Sequence, residues 1–267
     1  IEGDDDPSFD GAKGVFTVQQ NNGNGNGISA ATAVLGVTGN SGELTQDAKA
    51  TARAKDNGSI NFDTDRFNNI QESFISGFAG VATVQQNNGD GNGISAATAV
   101  AGVGGDAGGI TQHAIAGDIG AGTRGNDSID HWGDRVNRVV FGFVGAEGVM
   151  TVQQNNGDNN AMGAATAVAG ALGGSGDIHQ GTGMSLLFSG AAGNDAVDIE
   201  SLRENLITSQ SFTTAKGVVT VQQNNGDAND MGAATAVTGV TGNSGNIDQH
   251  AVNGLFLTGS GWNGLEG

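Results

Sequence analysis

The residues of this sequence best suited to chemistry are acidic side chains in turns rich in asparagine and glycine. The segment NGDGNG, from Asn88 to Gly93, matches the start of a calcium-binding loop, where oxygen ligands surround the cation. The bidentate glutamate of such a loop is replaced here by Ala99, and asparagine replaces most of the carboxylates. We therefore expect a plain turn here, with calcium binding as the alternative. Its candidate ligands are Asp90, Asn92, Asp158 and Asp227.

No other group of residues predicts a catalytic or cofactor site. The histidines His113, His131, His179 and His250 lack metal-ligand spacing, and we expect surface positions on strands for those that flank a recurring glutamine. The sequence has no nucleophile elbow, phosphate-binding loop or dinucleotide fingerprint on a strand–helix frame. It also has no cysteine, which excludes disulfides and Cys-ligated metals. We expect neither an enzyme nor a bound cofactor.

The composition excludes several classes of partner. Of 267 residues, 49 are glycine and only 5% are aromatic, and we count 27 Asn and 14 Gln. Ten basic against 28 acidic residues give a net charge of −18, which would repel nucleic acid and anionic membranes. No apolar run is long enough to span a bilayer. We expect no nucleic acid partner and no membrane span.

Internal repetition is the strongest signal in the sequence. The string TVQQNNG occurs four times, with start-to-start spacings of 66, 68 and 69 residues. Each string lies in a block of 32 residues, and 18 of the 32 positions are identical in all four copies. The blocks are residues 15–46, 81–112, 149–180 and 218–249. All ten basic residues lie outside the blocks.

Each block predicts three strands separated by turns. Alternation from Val15 to Asn22 places Thr17 and Gln19 on one face of a strand and Val18 and Gln20 on the other. The run AATA could form a helix, but the glycines around it leave too short a window, so a second strand is favoured. A short third strand contains Gln46.

The connectors between the blocks, 34 to 37 residues long, are less regular. Each contains a strand-like segment (NGSIN, NDSID or NDAVD), followed by DRFNNI, DRVNRV or LRENLI, for which a helical turn and a bent strand both stay open. For Asp65–Arg66 and Asp134–Arg135 we expect solvated charges rather than buried pairs. The chain divides into a tail or partial connector (1–14) and four repeats (15–80, 81–148, 149–217 and 218–267, the last with a truncated connector).

The repeated amide residues are the most informative part of the block. A Gln or Asn side chain stacked on its own copy at the inter-strand spacing donates in one direction and accepts from the other. Identity between layers therefore allows such amides to be buried, although recent gene duplication would also leave identical residues. Asn21 recurs in the same run. The predicted ladder residues are Gln19, Gln20, Asn22, Asn26, Gln46, Gln85, Gln86, Asn88, Asn92, Gln112, Gln153, Gln154, Asn156, Asn160, Gln180, Gln222, Gln223, Asn225, Asn229 and Gln249.

These features predict an all-β repeat protein. Small residues such as Ala30, Ala31 and Ala33 allow two sheets to approach closely, and the low aromatic content argues against a bulky globular core. We expect a β-solenoid-like stack of four repeats of about 67 residues with Asn/Gln ladders, each repeat contacting its neighbours.

The run V-x-Q-x-x-G-x-x-N-x-x-x-A resembles the repeats of curlin-type proteins, the subunits of the extracellular functional amyloid curli. In this sequence the matching positions are Gln20, Gly23, Asn26 and Ala30, with their equivalents in the other three blocks. The resemblance implies a stack of strand–turn–strand units lined by Gln and Asn. Curlin repeats are much shorter and nearly contiguous, whereas these carry long connectors, so a larger coil or a decorated strand layer is expected here.

We expect this chain to be a structural subunit of an extracellular filament at the cell surface or in a biofilm matrix. The opening SFDGAKG at Ser8 resembles SFTTAKG at Ser211, so copies placed head to tail would continue the repeat nearly in phase. The start at Ile1 suggests a processed, exported form. The expected partner is the chain itself, with a surface anchor or nucleator as a further candidate.

The alternative is a monomeric secreted adhesin or binding module for glycan, calcium or ice. A flat column of hydroxyl groups at Thr32, Thr98, Thr166 and Thr235 would suit an ice-binding surface.

Overall fold

The structure is a computed structural model of the chain. It describes residues 13–62, 65–70, 77–116, 122–124, 126–131, 133–140, 142–185, 190–192, 195–199, 202–208, 210–227, 229–254 and 264–266. Residues 1–12 of the expected tail (1–14) and residues 255–263 of the last connector lie outside the described residues.

The described chain consists of strands joined by turns, and it repeats the same order of strands in each coil. Coil one contains β1 (Lys13–Asn21), β2 (Gly27–Val37), β3 (Leu44–Ala50), β4 (Arg53–Lys55), β5 (Gly58–Phe62) and β6 (Arg66–Ile70). Coil two contains β7 (Ala79–Asn87), β8 (Gly93–Val103), β9 (Ile110–Ala116), β10 (Gly122–Arg124), β11 (Asp127–His131) and β12 (Arg135–Val139). Coil three contains β13 (Glu147–Asn155), β14 (Ala161–Ala171), β15 (Ile178–Ser185), β16 (Gly190–Ala192), β17 (Asp195–Ile199) and β18 (Arg203–Ile207). Coil four contains β19 (Lys216–Asn224), β20 (Asp230–Val240), β21 (Ile247–Gly254) and β22 (Gly264–Glu266).

Equivalent strands of successive coils pair in parallel and in register. They form six sheets that run along the stack: β1-β7-β13-β19, β2-β8-β14-β20, β3-β9-β15-β21, β4-β10-β16, β5-β11-β17-β22 and β6-β12-β18. Each residue lies beside its sequence equivalent, as Gln86 lies between Gln20 and Gln154. The prediction of an all-β, solenoid-like stack is confirmed. We call the coil-one end lower and the coil-four end upper.

The sheets pack in layers because successive side chains of a strand point to opposite faces, and both faces carry apolar or amide side chains that can be buried. The β2 and β3 sheets meet through columns of alanine, represented by Ala97 and Ala165 against Ala114. Such small side chains form the dry, closely spaced interface that stacked parallel strands favour. The other face of the β2 sheet lies toward the β1 sheet, where the Nε2 of Gln85 donates to the backbone oxygen of Ser29 at 3.2 Å.

The described parts of the connectors form strands and turns. The segments DRFNNI, DRVNRV and LRENLI form β6, β12 and β18, which resolves the choice left open by the sequence. Ile70 and Val139 from this sheet pack on Val84 and Val152 of the β1 sheet, together with the phenylalanines near the end of each connector, Phe78, Phe143 and Phe212. The β1 sheet is thus covered on both faces. No helix long and apolar enough to cross a membrane occurs in the described part of the chain.

Candidate functional site

The first amide ladder lies on the face of the β1 sheet that contacts the β2 sheet. The Gln19 ladder consists of Gln19, Gln85, Gln153 and Gln222. The Nε2 of each glutamine donates to the Oε1 of its equivalent in the coil above, at 2.8, 3.0 and 2.8 Å. Gln85 and Gln153 are fully buried, so these bonds satisfy groups that water cannot reach.

Three further ladders run with the opposite polarity. They are the Gln20 ladder (Gln20, Gln86, Gln154, Gln223), the Asn21 ladder (Asn21, Asn87, Asn155, Asn224) and the Gln46 ladder (Gln46, Gln112, Gln180, Gln249). In each, the amide nitrogen donates to the amide oxygen of the coil below, at 2.7 to 3.0 Å. The side chains of the neighbouring residues Gln19 and Gln20 therefore belong to ladders whose hydrogen bonds run in opposite directions along the stack.

The Asn26 column forms a ladder of a different kind. Its members are Asn26, Asn92, Asn160 and Asn229. The Oδ1 of each accepts the backbone N–H of the asparagine in the coil above, at 2.7 Å. The Nδ2 of Asn92 reaches back to the Oδ1 of Asn87 in its own coil, at 3.1 Å. This column fixes the turn between the first two strands of each coil to its neighbours.

The prediction that Asn22, Asn88, Asn156 and Asn225 stack on one another is wrong. These side chains lie on the face toward the β6 sheet and donate to its backbone: the Nδ2 of Asn88 reaches the oxygens of Arg66 and Val136, at 3.0 and 2.9 Å. In the described chain this column connects the β1 sheet to the β6 sheet, because its side-chain amides donate to backbone carbonyl groups of β6, β12 and β18.

A ladder that the sequence analysis missed lies in the β6 sheet itself. The Nδ2 of Asn68 donates to the Oδ1 of Asn137 at 3.0 Å, and the Nδ2 of Asn137 to the Oδ1 of Asn205 at 2.9 Å. Asn68 also donates to the Oδ1 of Asn88 at 2.9 Å. The two asparagine columns together connect the β1 and β6 sheets.

A buried column of arginines and aspartates, the ion ladder, lies beside these amides. The Nη1 of Arg66 donates to the Oδ1 of Asp90 at 2.9 Å, and Arg135 contacts Asp158 in the same way at 2.5 Å. Arg203 and Asp227 form the third pair, at 2.5 Å. Each arginine thus pairs with the aspartate of the coil above.

The arginines also face the aspartate of their own coil. The Nη2 of Arg135 lies 3.7 Å from the Oδ2 of Asp90, and the Nη2 of Arg203 lies 3.4 Å from the Oδ2 of Asp158. Charges therefore alternate along the stack, three guanidinium groups against three carboxylates. The expectation of solvated charges at Arg66 and Arg135 is wrong, since both side chains are buried.

The same geometry corrects the calcium hypothesis. Asp90, Asp158 and Asp227 bind arginine, and the fourth candidate, Asn92, belongs to the Asn26 column. Guanidinium groups occupy the position that a cation would need. No group of three or more metal-ligating His, Cys, Asp or Glu side chains occurs in the part of the chain that the structure describes.

Two carboxylates of the ion ladder, Asp158 and Asp227, have pKa values shifted in opposite directions. Burial by itself would raise the pKa of Asp158, but Arg135 and Arg203 outweigh it and hold the pKa below its usual value. For Asp227 burial and the nearby Asp158 carboxylate prevail over Arg203, and the pKa is raised. Asp158, beside Arg135 and Arg203, is therefore favoured as an anion, and Asp227, beside Arg203, is not.

The threonine and histidine columns have different surroundings. Thr98 and Thr166 in the middle coils are buried, so they present no hydroxyl surface for ice. His113, His179 and His250 lie exposed on the third strands, as predicted. His131 is on β11.

Removing the amide of Gln154 from the middle of a ladder should destabilise the fold by about 2–4 kcal/mol, because two bonds are lost and the buried partner Gln86 stays unpaired. Gln154→Leu preserves the size of the side chain but ends its bonds to Gln86 and Gln223. Gln223→Leu is the matched control in the exposed upper coil and should cost less than about 1 kcal/mol. Urea unfolding of unassembled protein measures both, and equal losses would argue against ladder burial as the source of stability.

A comparison of the chain with protein-family models, with curated proteins and with solved structures finds no match to any of them.

Proposed function

We propose that the protein is a structural subunit of an extracellular filament, in which copies assemble head to tail by stacking strand on strand. The observation that carries the proposal is the complementarity of the two ends of the stack. Within the described residues, the outermost strands of each sheet are paired on one side only and present backbone groups to any chain of matching register. The register from coil to coil is uniform, so the upper end of one copy fits the lower end of another.

Apolar exposure at the ends supports the proposal. Val15 in the lowest coil is 49% exposed, whereas its equivalent Val81 in the coil above is 3% exposed. At the upper end Val221 is 42% exposed, whereas Val152 is 0% exposed. Stacking would bury the apolar surface that the end coils leave in water.

The polarity of the ladders supports a head-to-tail arrangement. At the lower end, Gln19 keeps an amide oxygen directed away from its ladder partner and Gln20 keeps an amide nitrogen. At the upper end, Gln222 keeps a nitrogen and Gln223 an oxygen. Coil one placed on coil four therefore joins donor to acceptor in both ladders. Two identical ends would face each other with antiparallel strands and would lose the stacking of like on like.

Charge and composition support growth along one axis. The net charge of −18 disfavours lateral contact between like surfaces. The extracellular location rests on the likeness of the Gln/Asn-rich repeats to those of curlin-type fibres. The buried threonines and the arginine-bound aspartates weigh against the alternative of an ice- or calcium-binding adhesin.

Electron microscopy of the purified protein tests the proposal. We expect filaments with a layer spacing of about 4.8 Å and a subunit repeat of about 19 Å, since each copy contributes four layers. Val15→Lys should block assembly, because it places a charge where the equivalent valines are buried. Thr45→Lys is the control, since it adds the same charge at an exposed position of coil one. Monomers under all conditions, or equal filaments from Val15→Lys and Thr45→Lys, would contradict head-to-tail stacking.

A further inference from the structure

An open apolar groove runs along the stack, near the start of β1 and the end of β2. It encloses about 510 Å³, and its walls are the columns that begin at Gly14, Val15 and Val34. The walls are almost entirely apolar, and residues of all four coils contribute to them. The volume lies within the range of about 300–1,000 Å³ that is typical of small-molecule sites.

One wall of the groove is bare backbone because the stack requires it. Gly80, Gly148 and Gly217 have positive φ angles of 146°, 132° and 121°. A Cβ added at any of them would overlap the backbone oxygen of the equivalent glycine in the coil below. The fold itself therefore explains why these residues are glycine.

A second column of glycines beside the groove is not explained by the fold. The residue two positions after Val34 lies on the same face of its strand and is glycine in every coil: Gly36, Gly102, Gly170 and Gly239. None of the four has a positive φ, and a Cβ on any of them would have no neighbour closer than 3.7 Å. The chain would accept side chains at these positions. Their absence keeps the groove open to a molecule from outside.

We propose that the groove binds the alkyl chain of a free fatty acid. The walls offer almost no polar groups, so a peptide strand placed there would leave its backbone N–H and C=O groups unpaired. An alkyl chain has no such groups, and each methylene that leaves water stabilises the complex. Four stacked layers make the groove about 14 Å long, which suits an extended chain.

Charges at the rim of the groove favour a carboxylate head group. The residues that precede the glycines of the first wall are Lys13, Ala79, Glu147 and Lys216. Lys216 pairs with Glu147 at 3.0 Å, whereas Lys13 lies beside Ala79 and has no ion pair within the described residues. A carboxylate at the lower end of the groove would meet Lys13. The net charge of −18 opposes an anionic membrane surface, so the ligand is a free fatty acid rather than a bilayer lipid.

Isothermal titration calorimetry of unassembled protein with sodium decanoate tests the proposal. We expect saturable binding, and octanoate should bind at least about threefold more weakly because it has two methylenes fewer. Gly102→Glu should weaken decanoate binding at least about tenfold, because it places a carboxylate beside the apolar wall. Position 102 is exposed and a Cβ there meets open space, so the fold should be kept.

Thr45→Glu is the matched control for Gly102→Glu. It adds the same charge at an exposed position outside the groove, so it should bind decanoate like the unmodified protein. Urea unfolding of the two variants should give similar midpoints, which separates a loss of binding from a loss of folding.

The role of Lys13 is tested by comparing decanoate with the uncharged decanol. Lys13→Gln should weaken decanoate binding about threefold, the effect of one exposed charge pair, and leave decanol binding unchanged. Lys55→Gln removes an exposed lysine that lies outside the groove, and it should change neither affinity. An equal loss for decanoate and decanol in Lys13→Gln would overturn the assignment of Lys13 to the head group.

These measurements do not depend on filament formation, since all four coils of a single stack line the groove. An absence of saturable decanoate binding would overturn the proposal, as would equal binding by Gly102→Glu and Thr45→Glu. Sedimentation of the protein with phosphatidylglycerol vesicles, without binding of free decanoate, would overturn it in favour of a membrane surface.

Discussion

Replacing Gly157 by alanine is expected to prevent folding of the stack. Gly157 lies in the turn between β13 and β14, and a Cβ added there would overlap the carbonyl oxygen of Gly226 in the next coil. The equivalent residues Gly23 and Gly89 meet the same obstacle, a backbone oxygen that cannot rotate away. Because successive turns stack at the strand spacing, room for a side chain requires the coils to separate.

The matched control is Gly170→Ala, a substitution at a glycine of the same coil. A Cβ at Gly170 would lie 3.7 Å from the oxygen of Gly239, an ordinary contact, so stability should stay equal or rise slightly. Circular dichroism and urea unfolding compare the two variants. A cooperative unfolding transition for Gly157→Ala at the same urea concentration as for Gly170→Ala would contradict the close stacking of the turns.

The architecture was predictable because the internal repetition and the alternation of residues along each strand both indicate a stack of equivalent strands. Identical residues at spacings of 66, 68 and 69 imply that like lies on like, and the structure pairs each residue with its equivalent. Gln19 and Gln20 needed no further information, since both lie inside a strand where the only matching neighbour is the same residue of the next coil. A side chain that pairs with its own copy can be located from the sequence alone.

The contacts of the Asn22 column could not be predicted from repetition alone. Asn22 is repeated as strictly as Gln20, yet its Nδ2 donates to the backbone oxygen of Phe67, in the connector, at 2.9 Å. Identity reveals that a position is constrained but not which sheet faces it. The chain leaves the strand at Asn22, so its side chain lies at the edge and meets a second strand. That contact depends on how the connector folds back.

The ion ladder was missed for a related reason. Arg66, Arg135 and Arg203 lie in the diverged connectors, and their aspartate partners lie in the blocks. A signal was present, because these arginines recur at spacings of 69 and 68, close to those of the blocks. Each is followed two residues later by an asparagine of the ladder in the β6 sheet. A search for repetition in the connectors alone would have found both columns.

Asp158→Asn is expected to destabilise the fold by about 3–5 kcal/mol at pH 7, since it removes a carboxylate buried between two arginines. Asp227→Asn is the matched control and should change stability by less than about 1 kcal/mol. The pKa of Asp227 is raised, so its ionised form is disfavoured in the folded state. An asparagine there keeps the acceptor for Arg203 and removes the cost of ionisation.

The pH dependence of the two variants should differ in sign. The lowered pKa of Asp158 means that its stabilisation is present above the unfolded-state value near 4 and is lost as the pH falls further. The deficit of Asp158→Asn should therefore shrink below about pH 4. The raised pKa of Asp227 means that ionising this carboxylate destabilises the fold as the pH rises above about 4. The free energy of unfolding of Asp227→Asn should therefore increase, relative to that of the unmodified protein, from about pH 4 to pH 7. Urea unfolding of unassembled protein from pH 3 to 7 measures both. Equal deficits for the two variants at every pH would show that the alternation of charge along the ladder does not control stability.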